Sequence, residues 1–167
     1  GLSSNDIRRI YKGLITNWAQ VGGPDEPITV IQPPTNDTIT AIFRAYVLNG
    51  QTEHVKGVRL KRNWLQTVSQ LSGAIGYVPL VEVQGSSVSV LAIDGVFPST
   101  QALLQGAYPF WSVEHLYTQE NGTAQYQAFL TFLNSSQEEY VFAQSGAIAV
   151  DKVPQSVLAT HLPGPEI

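Results

Sequence analysis

The sequence predicts an α/β fold, a mostly parallel sheet flanked by helices. Two short apolar runs read as buried strands, the wholly β-branched Ile28–Ile31 and the glycine-bounded Gly73-Ala74-Ile75-Gly76-Tyr77-Val78. Around them, apolar residues recur at helical spacing in Ile7, Ile10, Tyr11 and Leu14, in Ile39, Ile42, Phe43, Tyr46 and Val47, and in Trp64, Leu65, Val68 and Leu71. Strands alternating with helices favour parallel pairing, because each crossover helix returns the chain to the same end of the sheet.

The first helix opens at Ser3, whose side chain can cap free N–H groups, with Asp6 three residues on at the positive end of the dipole. Gly13 stands where a left-handed cap would stop it, and Gly22-Gly23-Pro24-Asp25 makes a turn. Pro33 and Pro34 end the first strand, and Thr35, Asn36, Asp37 and Thr38 offer N-caps for the second helix, which closes at Asn49-Gly50. Residues 51–60 carry no clear pattern. The third helix ends at Gly73. Ser87–Ile93 alternates as a strand turned by Asp94-Gly95, Ser99–Gln105 reads as a short helix, and Phe110–Tyr117 reads as extended. Tyr126, Phe129, Leu130, Phe132 and Leu133, then Tyr140 and Val141, give helical faces broken near Asn134-Ser135-Ser136.

Composition narrows the function. Only 13% of the 167 residues are charged, which excludes a disordered chain, and the net charge of -4 is poorly suited to neutralising phosphodiester backbones, so no nucleic-acid partner is expected. No apolar run approaches the roughly 20 residues of a bilayer span. The chain has no cysteine, which excludes disulfides and thiolate chemistry, and no methionine, which suggests a piece cut from something longer. His54, His115 and His161 lie far apart without a metal-ligand spacing, no nucleophile or phosphate-loop motif is present, and Glu82, Asp94 and Glu114 have nothing to pair them as acid and base. No enzyme, metal or cofactor is expected. Trp18, Trp64 and Trp111 lie in patterned apolar segments and read as core. Lys56, Arg59, Lys61 and Arg62 crowd into seven residues, as a solvated face or an anion-facing rim.

Several ordered landmarks resemble the phosphate-binding (PstS-like) branch of the type II periplasmic substrate-binding proteins of ABC transporters. Leu2 to Trp18 looks like that family's helix followed by G-x-I-T-N-W, here Gly13-Leu14-Ile15-Thr16-Asn17-Trp18, and Val21-Gly22-Gly23-Pro24 follows. Gly73–Val78 is similar to its GAIGYV strand, Leu91–Val96 and Tyr108-Pro109 match later landmarks, and Phe129–Leu133 looks like its C-terminal helix. The resemblance implies two α/β lobes with ligand held between them. It assigns residues 3–107 to a second-lobe-like domain and 108–167 to a crossing strand and the helical return into a first lobe that is incomplete. It further implies an extracytoplasmic, bacterial solute-binding domain of an ABC-type uptake system, with a small oxyanion such as phosphate as ligand and an ABC permease as partner. A protein partner of a degenerate sensor or surface domain is the alternative. With its first-lobe neighbour missing, the Phe129–Leu133 stripe is expected to drive self-association.

The family places an Arg, then S-G-T, just after the first strand at a helix start. Aligned without a gap from Ile31, Gln32 replaces that Arg, Asn36 the Ser and Asp37 the Gly, while Thr38 is kept; aligned back from Phe43, even the Thr is lost. Pro33 and Pro34 donate no N–H, Gln32 is uncharged, and Asp37 brings a carboxylate to the place of the anion, where two charges about 4 Å apart repel by roughly 1 kcal/mol even in water. Tight phosphate binding is therefore not expected. Any residual anion site would draw on Thr35, Asn36 and Thr38, with Arg59 or Arg62 reaching across.

Overall fold

The computed structural model describes residues 1–114, 123–133 and 135–160. Helix α1 covers Ser4–Tyr11 and begins with the reciprocal bonds of a capping box, Ser3 and Asp6 each satisfying the other's backbone N–H. Gly13 adopts φ +71° and turns the chain. The helical stripe consequently ends at Tyr11, so Leu14 is 62% exposed and Ile15 enters the core instead.

A three-stranded sheet carries the fold, with strand order β2-β1-β3. Strand β1 is Thr29–Gln32, β2 is Val58–Arg59 and β3 is Ala74–Ile75, and both neighbours run parallel to β1. Ile31 and Gln32 stand opposite Val58 and Arg59, while Thr29 and Val30 stand opposite Ala74 and Ile75. Crossover helices α2 (Thr38–Tyr46) and α3 (Trp64–Gln70) connect the strands. The mostly parallel α/β architecture read from the sequence is thus the one observed. Strand β2, in the unpatterned 51–60 stretch, was not expected: its two residues are exposed, and only pairing with β1 defines it.

The core lies against α1 and β1. Leu2, Ile7, Ile10, Tyr11, Ile15, Val30, Phe43, Val47, Leu48 and Ile75 form one buried cluster, and Trp18 packs against its edge. The Trp18 indole donates to the Gly73 carbonyl (3.0 Å), which also accepts from Thr29 N–H (3.0 Å). A side chain at Gly73 would run into the Pro27 carbonyl, and its φ is +70°, so glycine is needed there for both reasons.

The second half is more irregular. Ser87–Ile93 forms no strand; Ile93 alone bridges to Leu2 and Val96 around the Asp94-Gly95 turn. An alternating pattern records two-sidedness, and a ladder also needs a free strand edge alongside. Helix α4 spans Leu80–Val83, and α5 spans Thr100–Leu104, capped by Ser99 as its sequence predicts. Helices α6 (Ala124–Leu133) and α7 (Ser136–Ser145) follow, then a 3₁₀ turn at Val150–Lys152 and α8 (Gln155–Leu158). Residues 110–114 carry no regular structure, and the rest of the expected Phe110–Tyr117 extended segment lies outside the described residues. No described helix is long and apolar enough to cross a membrane.

Candidate functional site at the strand ends

Parallel strands bring all their carboxyl ends to one edge, which is where open α/β sheets receive ligands. Here that edge is formed by Gln32 at the end of β1, Arg59 at the end of β2, Tyr77 just beyond β3, and the 33–37 loop that leads into α2. Most of the residues singled out from the sequence are therefore brought together, and each has a definable state.

Asp37 is the N-cap of α2. Its carboxylate accepts from the Ile39 N–H at 2.9 Å, so a resident negative charge already occupies the positive end of this helix. Thr35, Asn36 and Thr38 are exposed around it. The first turn of α2 points one hydroxyl inward: Thr40, fully buried, donates to the Pro34 carbonyl at 2.9 Å.

Gln32 is 0% exposed, and neither atom of its side-chain amide has a hydrogen-bond partner. Its Oε1 lies against Gly57, where a Cβ would sit 2.9 Å away and also 2.7 Å from the Val30 carbonyl. The absence of a side chain at Gly57 thus lets the 51–60 segment lie directly on β1.

Arg59 faces Gln32 across the β1–β2 register but does not bond it. Its guanidinium donates to the Pro33 carbonyl (3.0 Å) and, through the other terminal nitrogen, to Glu53 Oε2 (2.7 Å). The Glu53 side chain is 1% exposed and that of Arg59 36%. The second Glu53 oxygen lies 3.0 Å from the Tyr77 hydroxyl, which is also 3.2 Å from Thr40 Oγ1. One phenolic proton cannot serve both, and the nearer, charged carboxylate is the stronger acceptor. Arg62 is exposed on the loop beyond β2 and contributes nothing to this cluster.

Tyr77 also belongs to an aromatic stack, parallel to Phe43 at 3.8 Å between centroids, with Tyr11 tilted against both. Burial pushes the Tyr77 phenol well above its ordinary value, and the Glu53 charge adds to the rise. Burial does the same to Tyr11, with Tyr77 and Glu53 adding to it. The Tyr11 hydroxyl has no hydrogen-bond partner.

Sequence reasoning identified Gln32, Asp37 and Arg59 but missed Glu53 and Tyr77 as members of the site. Glu53 stands alone in an unpatterned stretch, and Tyr77 reads as part of a buried strand; only the fold makes them neighbours. Among the described residues no group of His, Asp and Glu could hold a metal ion. His115 and His161 lie outside the described residues.

A parallel-sheet lobe whose strand ends and helix start converge on one polar cluster has the form in which open α/β sheets receive ligands. The chain belongs to the PBP superfamily domain family, whose profile matches residues 1–137. It is 30% identical over 152 residues to the phosphate-binding protein PstS of Bacillus subtilis (strain 168), a match covering 89% of this chain and 50% of that protein. Its fold is similar to a phosphate ABC transporter substrate-binding protein of Clostridium perfringens solved with bound phosphate, with TM-score 0.73, 28% identity, and coverage of 89% of this chain and 62% of that one. An ABC-type phosphate transport receptor from Vibrio cholerae shares the fold at TM-score 0.66 and 21% identity, over 88% of this chain and 63% of its own. The chain thus spans about half the length of its curated relative. These relatives carry the names of binding and transport proteins, in keeping with the absence of any enzyme motif in the sequence.

Proposed function

We propose that this chain is the second-lobe-like part, residues 3–107, with the return segment 108–167, of an extracytoplasmic solute-binding protein of an ABC-type uptake system, and that its inherited oxyanion site is degenerate. The family and the names of its phosphate-binding relatives support the first half of this reading. The second half rests on one observation above the others: the Asp37 carboxylate already takes the N–H at the start of α2. A phosphate there would have to displace a covalently tethered anion or sit beside it, in a loop whose two prolines offer no donors. Gln32, where the family has an Arg, adds no charge to offset this.

The same observation favours a second reading, in which the domain keeps the scaffold and binds a protein partner for a sensor or surface protein. An ABC permease as partner belongs to the first reading only.

Calorimetry with inorganic phosphate tests the degenerate site. The wild-type chain is expected to give no binding heat up to about 1 mM phosphate, and Asp37→Gly is expected to gain saturable binding. Sub-micromolar affinity of the wild type would overturn the reading. Absence of binding in both proteins would overturn Asp37 as the sole block, with Gln32 and the prolines then sufficient for the loss.

A further inference from the structure

The cluster at the strand ends has the form of an occupied anion site. A carboxylate that is almost wholly buried is gripped by a guanidinium on one oxygen (2.7 Å) and a phenol on the other (3.0 Å). Those are the donors a protein offers to a small bound oxyanion or carboxylate. The anion here belongs to the chain itself. We propose that Glu53 is a built-in ligand and the specificity-determining residue of this edge: Arg59 and Tyr77 form a ready-made site for a small carboxylate or oxyanion, and the Glu53 side chain fills it.

Three features support this beyond the two contacts. The donors are fixed independently of Glu53, since Arg59 is also tied to the Pro33 carbonyl and held in register opposite Gln32, and Tyr77 is stacked on Phe43. Removing the carboxylate would therefore leave the donors in place. The site also has a way in, because the Arg59 side chain is about one-third exposed while that of Glu53 is not. Finally, Glu53 is carried by a segment that follows the Asn49-Gly50 reversal, both at positive φ, and that lies on β1 through Gly57, so the carboxylate is delivered by a loop folded back over the sheet edge.

This inference rests on the reading of the strand edge as a binding edge, and it adds a second resident anion beside Asp37. The two fill different places. Asp37 takes the Ile39 N–H at the start of α2, whereas Glu53 pairs with Arg59 at the carboxyl end of β2. A solute approaching this cluster in the wild type therefore meets the Asp37 carboxylate and an Arg59 whose charge is already paired, which disfavours anions and leaves uncharged or cationic polar solutes as the class the cluster accepts.

The test is chemical rescue with Asp37 left unchanged. Glu53→Gly opens a space of carboxylate size, and formate is the probe. The variant is expected to melt below the wild type in chloride and to recover with formate at equal ionic strength. At ten times its dissociation constant, formate should raise the melting temperature by roughly 3–6 °C, saturably. Neither the wild type nor Glu53→Gly/Arg59→Gln should respond. A folded Glu53→Gly protein that formate does not stabilise more than chloride would overturn the proposal, as would equal stabilisation of the wild type or of the double variant. If Glu53→Gly is recovered unfolded, the reading moves to refolding: native circular dichroism regained in formate and not in chloride supports it, and no difference between the salts overturns it. Because phosphate and the Asp37 carboxylate play no part in this measurement, its failure is separable from failure of the Asp37 result.

Discussion

Residues 2–77 and the helices α6 and α7 are both rich in apolar residues but bury them to different degrees. In the first region the apolar residues of α1, β1, α2 and β3 converge on one cluster, with Ile10 at 0% exposure and Tyr11 at its centre. In the second, α6 has no buried residue, and Phe129 is 48% and Phe132 41% exposed, with Tyr140 and Val141 of α7 also open. The helices have formed in both regions; burial has been completed in one. Helical periodicity therefore reports that a face is apolar, whereas the energy that stabilises it depends on a second surface being present. In residues 2–77 that surface is the sheet.

The sharpest way to break this comparison is to truncate one residue in each region. Ile10→Ala removes a fully buried side chain and is expected to cost about 2–5 kcal/mol. Phe129→Ala removes a larger side chain and is expected to cost under about 0.5 kcal/mol, the range of surface substitutions. Urea denaturation of the two variants at low protein concentration gives both numbers. Equal losses would mean that α6 is as well packed as α1, and the contrast would fail.

A smaller effect sharpens the account of the first region. Tyr11 and Tyr77 have phenols whose folded values are raised, chiefly by burial. The neutral phenol is the form the fold keeps, so its contribution to stability is complete below the unfolded value, roughly 10, and is lost as pH rises from there towards the folded value. The urea midpoint should accordingly fall with rising pH above about 10, and ultraviolet titration should show these two phenolates appearing only as the chain unfolds. Tyr77→Phe and Tyr11→Phe should each flatten part of that alkaline slope. An unchanged slope in both would place the loss elsewhere in the molecule.

What was legible in the sequence divides along the same line. Local signals succeeded because their physics is local: the Ser3–Asp6 capping box, the Asp37 cap, the Gly13 stop and the Asp94-Gly95 turn all depend on atoms a few residues apart. The paired landmarks around Trp18 and Gly73 were visible as motifs, although the indole-to-carbonyl bond joining them was not. Failures fell where a partner decides the outcome. Ser87–Ile93 alternates like a strand but finds no edge, β2 is exposed and is a strand only because β1 lies beside it, and Leu14 continues a stripe that Gly13 has already turned away. Within the site, Gln32 and Asp37 could be named because their types stand out against the family pattern, and Arg59 because it belongs to the basic run of Lys56, Arg59, Lys61 and Arg62. Glu53 could not, because its role comes from Arg59 six residues on and Tyr77 twenty-four residues on, and no spacing rule links the three.

The smallest expected change in stability accompanies a visible change in assembly. Phe129 and Phe132 lie on α6 three residues apart, close enough to share one face of the helix, and nothing in α6 is buried. Contiguous exposed aromatic surface of this kind is costly in water, and for this chain alone in solution a second copy is the apolar surface within reach. Light scattering is therefore expected to show the apparent mass rising with protein concentration. The double substitution Phe129→Ser, Phe132→Ser should hold the mass at the monomer value while leaving the melting temperature in dilute solution nearly unchanged. That combination separates the two regions cleanly, because a change that abolishes association without touching the fold can only act on a surface the fold does not use. A wild-type chain that stays monomeric across a wide concentration range would show that α6 tolerates its exposure, and the apolar face would then need no partner at all.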